Sequence, residues 1–170
     1  MKSYGQNQGV DMAVYLIKEK FWTIGNDFEI FNEEREVIFK IKGKPFSWDN
    51  KLSFEDMAGN ELAFINQKLI SLKETYQIYR QNEHFADLVK EFSWLEKEFI
   101  LDVPGPNDYK IKGKFWSHEY TFMRDEGIVA TVSDKRCHFA DSYLVDIKEG
   151  EDEVSILAAV IIIDQILSDQ

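Results

Sequence analysis

The sequence predicts a mainly β fold: a closed antiparallel barrel, of roughly ten to twelve strands, wrapped around one central hydrophobic C-terminal α-helix. Three observations predict it. From Val154 to Leu167, 11 of 14 residues are apolar, interrupted only by Ser155, Asp164 and Gln165; a helix apolar on every side has no solvent face and must be buried all round. Upstream, turn signals recur at short intervals, and the runs between them alternate apolar and polar residues, as strands with one buried face do. Aromatic residues make up 14% of the chain, the composition of pleated, half-buried surfaces. At 1.5 Å per residue the apolar helix is roughly 21 Å long, and it falls short of the ~20 apolar residues of a membrane span. It is therefore assigned to the core.

The elements follow in order. Gly25-Asn26 separates Lys20 to Ile24 from Asp27 to Phe31 with the spacing of a two-residue hairpin. In Glu36 to Lys42, Val37, Phe39 and Ile41 share one face and the remaining residues the other. Gly59-Asn60 separates a strand at Leu52 to Asp56 from one at Glu61 to Asn66, and Thr75 to Arg80 and His84 to Phe92 follow. Pro104-Gly105-Pro106-Asn107-Asp108 fits neither helix nor sheet interior and is a surface loop. Strands are expected at Tyr109 to Phe115, Glu119 to Arg124, Gly127 to Ser133 and Ser142 to Lys148. The core helix, about residues 152–168, begins after Gly150, where Glu151, Asp152 and Glu153 favour the positive end of its dipole. Residues 11–170 are expected to form a single domain preceded by a disordered tail at 1–10.

A short internal repeat fits a barrel of two related halves. Phe39-Lys40-Ile41-Lys42-Gly43-Lys44 matches Tyr109-Lys110-Ile111-Lys112-Gly113-Lys114, and an aromatic residue and a serine follow each copy, at Phe46-Ser47 and Trp116-Ser117. Farther on, each copy has an acidic turn with glycine, at Asp56 to Gly59 and Asp125 to Gly127.

Charge and cysteine content exclude several function classes. The net charge of −11 opposes nucleic-acid binding, which needs a basic surface to displace phosphate counterions. The single cysteine, Cys137, excludes an intramolecular disulfide framework and suits a reducing compartment. Met1 to Gly9 is polar and lacks the basic start and apolar run of a signal peptide. A cytoplasmic protein is expected.

Several segments resemble the LURP-one-related family. They are Tyr15-Leu16-Ile17-Lys18-Glu19-Lys20-Phe21-Trp22, Phe46-Ser47, Asp56-Met57-Ala58-Gly59-Asn60-Glu61-Leu62 and Gln67-Lys68-Leu69-Ile70-Ser71-Leu72, together with the Tyr109 to Gly113 and Val129 to Ser133 strands and the apolar terminal helix. That family includes the bacterial YxjI-like proteins and is grouped with the tubby C-terminal domain and the phospholipid scramblases. The resemblance spans about residues 12 to 168 and rests on many positions in order, because the family has no catalytic signature. It implies a tubby-like barrel of about twelve strands around the C-terminal helix. Tubby domains bind phosphoinositides through basic surface residues, which implies an anionic lipid headgroup as a partner and peripheral attachment to a membrane. The acidic balance of this chain departs from that pattern.

Candidate site residues are few. Lys40, Lys42 and Lys44, and again Lys110, Lys112 and Lys114, alternate along their strands and should project outward while Phe39, Ile41, Tyr109 and Ile111 point inward. Such stripes either form an anion-binding patch or solvate the barrel wall and discourage strand addition. His84, His118 and His138 have no metal-ligand spacing. Cys137-His138 are adjacent, so on a strand they point to opposite faces and make no nucleophile–base pair. Asp164 is expected near the helix end, where the barrel opens to water; the alternative is a buried carboxylate. No nucleophile elbow, P-loop or dinucleotide fingerprint is present.

The function expected is that of a non-catalytic binding or scaffold domain without a cofactor. Its expected partner is a phosphoinositide or other anionic headgroup, or a protein at a membrane surface; no transmembrane segment and no nucleic-acid partner are expected. A lipid-associated, scramblase-like protein and a small-molecule carrier with a hollow barrel are the alternatives.

Overall fold

The computed structural model describes residues 11–20, 27–43, 51–68, 74–92, 97–125, 127–134 and 142–168. Among them, twelve strands form one closed antiparallel barrel in which each strand neighbours the next in sequence and β12 closes against β1. The strands are β1 (Met12–Lys20), β2 (Asp27–Phe31), β3 (Val37–Gly43), β4 (Lys51–Asp56), β5 (Glu61–Lys68) and β6 (Thr75–Arg80) in the first half. The second half holds β7 (Glu83–Phe92), β8 (Lys97–Asp102), β9 (Tyr109–Lys114), β10 (Glu119–Arg124), β11 (Gly127–Ser133) and β12 (Ser142–Lys148). A 3₁₀ turn, Phe115–Ser117, joins β9 to β10, and the helix α1 (Glu153–Ser168) occupies the interior.

Alternation drives the arrangement. Ile41, Phe54, Ile65, Ile78, Phe99, Ile111, Phe122 and Val145 are buried on their strands and form one core cluster with the helix. Every helix residue from Ser155 to Leu167 is buried. At ~25 cal/mol per Å² of apolar surface, this shared core is the dominant stabilising contribution. Interior space that a hollow barrel would leave for a ligand is filled by α1.

Register shifts fall in the hairpins at one rim, between Ile30/Phe31, Phe54/Glu55, Ile78/Tyr79 and Phe122/Met123. A bulge raises the local twist and bends the strand, which is how a sheet curls to closure. At that rim Gln81 and Asn82 both have positive φ, 51° and 65°, as a two-residue hairpin requires. The repeat maps onto symmetry: β3 and β9 are separated by five strands in either direction, as are β4 and β10, so the matching segments lie half a barrel apart.

The structure corrects two sequence expectations. Lys20 pairs with Asp27, and Phe31 pairs with Leu16, so the register is not that of a two-residue turn at Gly25-Asn26, which would set Ile24 opposite Asp27; Phe21 to Ile24 lie outside the described residues. The residues Gly25-Asn26 themselves lie outside the described residues. The strand β8 was not anticipated because Phe99-Ile100-Leu101 breaks the apolar–polar alternation: Phe99 and Leu101 face the core, while Ile100 lies on the outer face beside Val89 and Lys110.

Candidate binding cleft on the barrel wall

The helix enters the barrel through a ring of polar contacts. Asp152 caps α1, accepting from the Ser155 backbone N–H at 3.3 Å and from its hydroxyl at 3.1 Å. Arg80 donates to Asp152 at 2.5 Å and to the Ser155 hydroxyl at 2.9 Å. Glu151 accepts from Arg124 at 2.7 Å and from the Tyr109 hydroxyl at 3.0 Å. The Tyr15 hydroxyl donates to Glu153. Burial, and then the bond to Glu151, push the Tyr109 phenol up to about 12; burial and Glu153 likewise raise Tyr15. The acidic run at 151–153 therefore serves the dipole and also fastens the plug to β1, β6, β9 and β10. Neither partner set is visible from local sequence.

At the opposite end, Asp164 is 8% exposed and bonded to His118 Nε2 at 2.7 Å. The expectation of a carboxylate opening to water is thus corrected: the helix stays buried through Leu167 and reaches solvent at Ser168. The His118 ring stacks on Tyr143, with centroids 4.5 Å apart. Nearby, the Tyr120 hydroxyl is buried without a hydrogen-bond partner among the described residues, and burial followed by the charge of Asp164 raises its pKa. Asp164→Leu is expected to lower stability by about 1–3 kcal/mol in urea titration, because His118 loses its acceptor in a buried setting. An unchanged denaturation midpoint would show that the bond contributes nothing net.

The two lysine stripes do not converge. With β3 and β9 on opposite walls, Lys40 and Lys42 cannot share a ligand with Lys110, Lys112 and Lys114; Lys44 lies outside the described residues. Acidic groups surround the β3 pair: Lys40 faces Glu29 on one side and Glu55 on the other, and Lys42 bonds Glu55 at 2.5 Å. On β9 the neighbours differ. Lys110 faces Ile100 and Met123, Lys112 sits 3.4 Å from Glu98, and Lys114 faces Glu119.

Lys110 and Lys112 line an open cleft of about 530 Å³ with Pro106, Asp108, Met123, Arg124 and Asp125. The loop at 103–108 forms one edge and is tied back by the Val103 N–H to Asp108 at 3.2 Å. Arg124 is held by Glu151 and Lys112 is paired more loosely with Glu98, so of the cleft's cations Lys110 is the one whose cross-strand neighbours are apolar. Beyond the cleft, burial and then the charges of Asp108 and Asp87 raise the Asp102 carboxyl.

Other candidates supply no chemistry. His84 bonds Asp87 at 2.8 Å on the surface, and Cys137 and His138 lie outside the described residues. Among the described residues, no group of three or more His, Cys, Asp or Glu is placed to hold a metal ion, and no helix is long and apolar enough to cross a membrane.

Comparison with known proteins agrees with the architecture. The family model described as LURP-one-related matches residues 13–164. The chain is 28% identical over 156 residues to the uncharacterized protein YxjI of Bacillus subtilis (strain 168), covering 92% of this chain and 94% of that protein. It is 24% identical over 175 residues to Protein LURP-one-related 15 of Arabidopsis thaliana, covering 92% and 80% respectively. An X-ray structure of an Arabidopsis thaliana protein superposes with a TM-score of 0.70 at 16% identity, over 93% of each chain, a likeness of fold. A tubby-like barrel of twelve strands, filled by its own C-terminal helix and matched along nearly its whole length, places this chain in the LURP-one-related family.

Proposed function

We propose that the chain is a non-catalytic binding domain that takes an anionic headgroup, of the phosphoinositide kind, in the cleft between the 103–108 loop, β9 and β10, and so acts peripherally at a membrane surface. One observation carries this: Lys110 stands in a cleft of about 530 Å³ beside Lys112, with Ile100 and Met123 as its cross-strand neighbours where Lys40 has two glutamates. An ammonium whose cross-strand neighbours are apolar is not tied across the sheet and can turn to a phosphate ligand in a cleft it shares with Asp108 and Asp125. The filled interior leaves the outer wall for ligand contact, which disfavours a carrier. The scramblase-like alternative would need α1 in lipid, and its departure would empty the core.

The test separates the two walls. Vesicles of phosphatidylcholine, plain or doped with phosphoinositide, are co-sedimented with the protein at physiological salt. Lys110→Ser/Lys112→Ser is expected to weaken binding to doped vesicles about tenfold or more, since each lysine near an anionic surface contributes ~1 kcal/mol; Lys40→Ser/Lys42→Ser is expected to change it little. Equal losses from both pairs, or a parent protein that binds neither vesicles nor soluble inositol phosphate, would reject the cleft and leave a protein partner as the ligand to seek.

A further inference from the structure

We infer that Trp116 is an interfacial anchor that sets the β8–β9 wall against an anionic bilayer. This rests on assigning the β9 wall to headgroups, and it can fail independently of the cleft. The 3₁₀ turn holding Trp116 is pinned on both sides. Before it, Phe115 is buried, with its ring 5.0 Å from both Phe99 and Tyr120. After it, His118 takes a left-handed conformation, φ 46°, and bonds Asp164 of the core helix. Within the turn, the Ser117 hydroxyl donates to the Lys114 carbonyl at 3.1 Å.

Trp116 is nevertheless 62% exposed, more than the other exposed large apolar side chains among the described residues, Met12, Met57 and Ile128. A large apolar side chain held out by a rigid turn is not collapsing onto its own protein; its exposure suits something that is absent from the free chain. The Lys97 ammonium lies 4.8 Å from the centroid of the indole.

Charge identifies the occupant. Lys97 and the exposed Lys110, Lys112 and Lys114 lie on two adjacent strands of a chain whose net charge is −11. From Lys110 to Lys114 the stripe runs roughly 13 Å along β9 and ends at the turn that carries Trp116, so the lysines lead along one strand from the cleft to the indole. Lysines beside an anionic surface and an indole at headgroup level are each favourable, because the indole has an apolar body and one N–H donor. A soluble phosphate ester would engage the lysines and leave Trp116 idle. That difference gives the test two arms.

The full-length protein is compared with Trp116→Ala, with Met57→Ala and with Lys110→Ser/Lys112→Ser. Met57 is 53% exposed in the β4–β5 turn, at the end of the barrel away from Trp116. Each protein is co-sedimented with phosphatidylcholine vesicles doped with phosphoinositide, and its binding of soluble inositol phosphate is measured by calorimetry. Thermal melts check that every variant is folded. Trp116→Ala is expected to weaken vesicle binding at least about fivefold while soluble inositol phosphate binds as before, and Met57→Ala is expected to alter neither.

Undiminished vesicle binding by Trp116→Ala overturns the anchor, as does a parent protein that ignores vesicles. In either case retained binding of inositol phosphate leaves the cleft standing. If Trp116→Ala loses vesicles while Lys110→Ser/Lys112→Ser keeps them, the anchor stands and the cleft falls.

Discussion

A chain ended at Asp152 is expected to lose cooperative folding altogether. Truncation removes Ile156, Leu157, Val160, Ile161, Ile162, Ile163, Ile166 and Leu167, all buried in the barrel. At roughly 1.5–3 kcal/mol for each buried aliphatic side chain, their sum of about 12–24 kcal/mol matches or exceeds the ~5–15 kcal/mol net stability of an ordinary domain. It also strips the inner faces of the strands of their partner and removes Glu153 and Ser155, which hold the Tyr15 hydroxyl and one N–H of Arg80. The expected product binds hydrophobic dyes and melts without a transition in circular dichroism. The full-length variant Ile162→Asp places an unpaired carboxylate in the same core and is expected to unfold in the same way. A soluble truncation with a sharp melt would refute the role of α1 as barrel core.

That expectation bears directly on function. A carrier needs a cavity, and a lipid-inserting helix needs to leave the barrel, whereas the network at the helix start holds α1 from four separate strands. Ligand recognition is thereby displaced to the outer wall, where the two lysine stripes differ in their neighbours. On β3, carboxylates at Glu29 and Glu55 flank the lysines. On β9, the cross-strand neighbours of Lys110 are the apolar Ile100 and Met123, beside a cleft whose lining includes Asp108 and Asp125.

How much of this was legible depended on the range of the interaction concerned. Alternation is local, so the segments at Thr75 to Arg80, Glu119 to Arg124, Gly127 to Ser133 and Ser142 to Lys148 coincide with β6, β10, β11 and β12. The unbroken apolar run at the C terminus likewise coincides with a buried helix. Where both strand faces carry apolar residues, as in Phe99-Ile100-Leu101, periodicity fails and β8 was missed. The outward lysines were legible because every second residue of a strand shares a face. Their separation was not: ring closure puts β3 and β9 on opposite walls, and no local pattern encodes it. The burial of Asp164 also depended on a distant residue, since its partner His118 lies in the β9–β10 connection and is turned inward by a left-handed backbone. Trp116 stood in the repeat as an aromatic counterpart of Phe46, but its exposure follows from the anchoring of Phe115 and His118 on either side.

Gly113→Ala is expected to be among the most damaging single-atom-scale changes in the barrel, costing about 3 kcal/mol or more. Gly113 has φ +146° and lies opposite Tyr120 in the β9–β10 register. An added Cβ would lie 2.4 Å from the Glu119 carbonyl oxygen and 2.6 Å from the Tyr120 Cα. These are backbone atoms of the paired strand, so relief requires β9 and β10 to part. That movement would disturb Phe115, the rim turn and the stripe of lysines together. Gly59→Ala provides the comparison, because Gly59 also has positive φ, +85°, but an added Cβ there meets nothing within 4 Å. Its expected cost is the backbone strain alone, about 1–2 kcal/mol. Urea denaturation of the two variants isolates the steric part: the Gly113→Ala midpoint should fall well below that of Gly59→Ala, with the slope preserved if both still unfold in one step. Equal midpoints would mean that β9 and β10 can separate at Gly113 without loss, and that the rim turn bearing Trp116 is not held by the close approach of these strands.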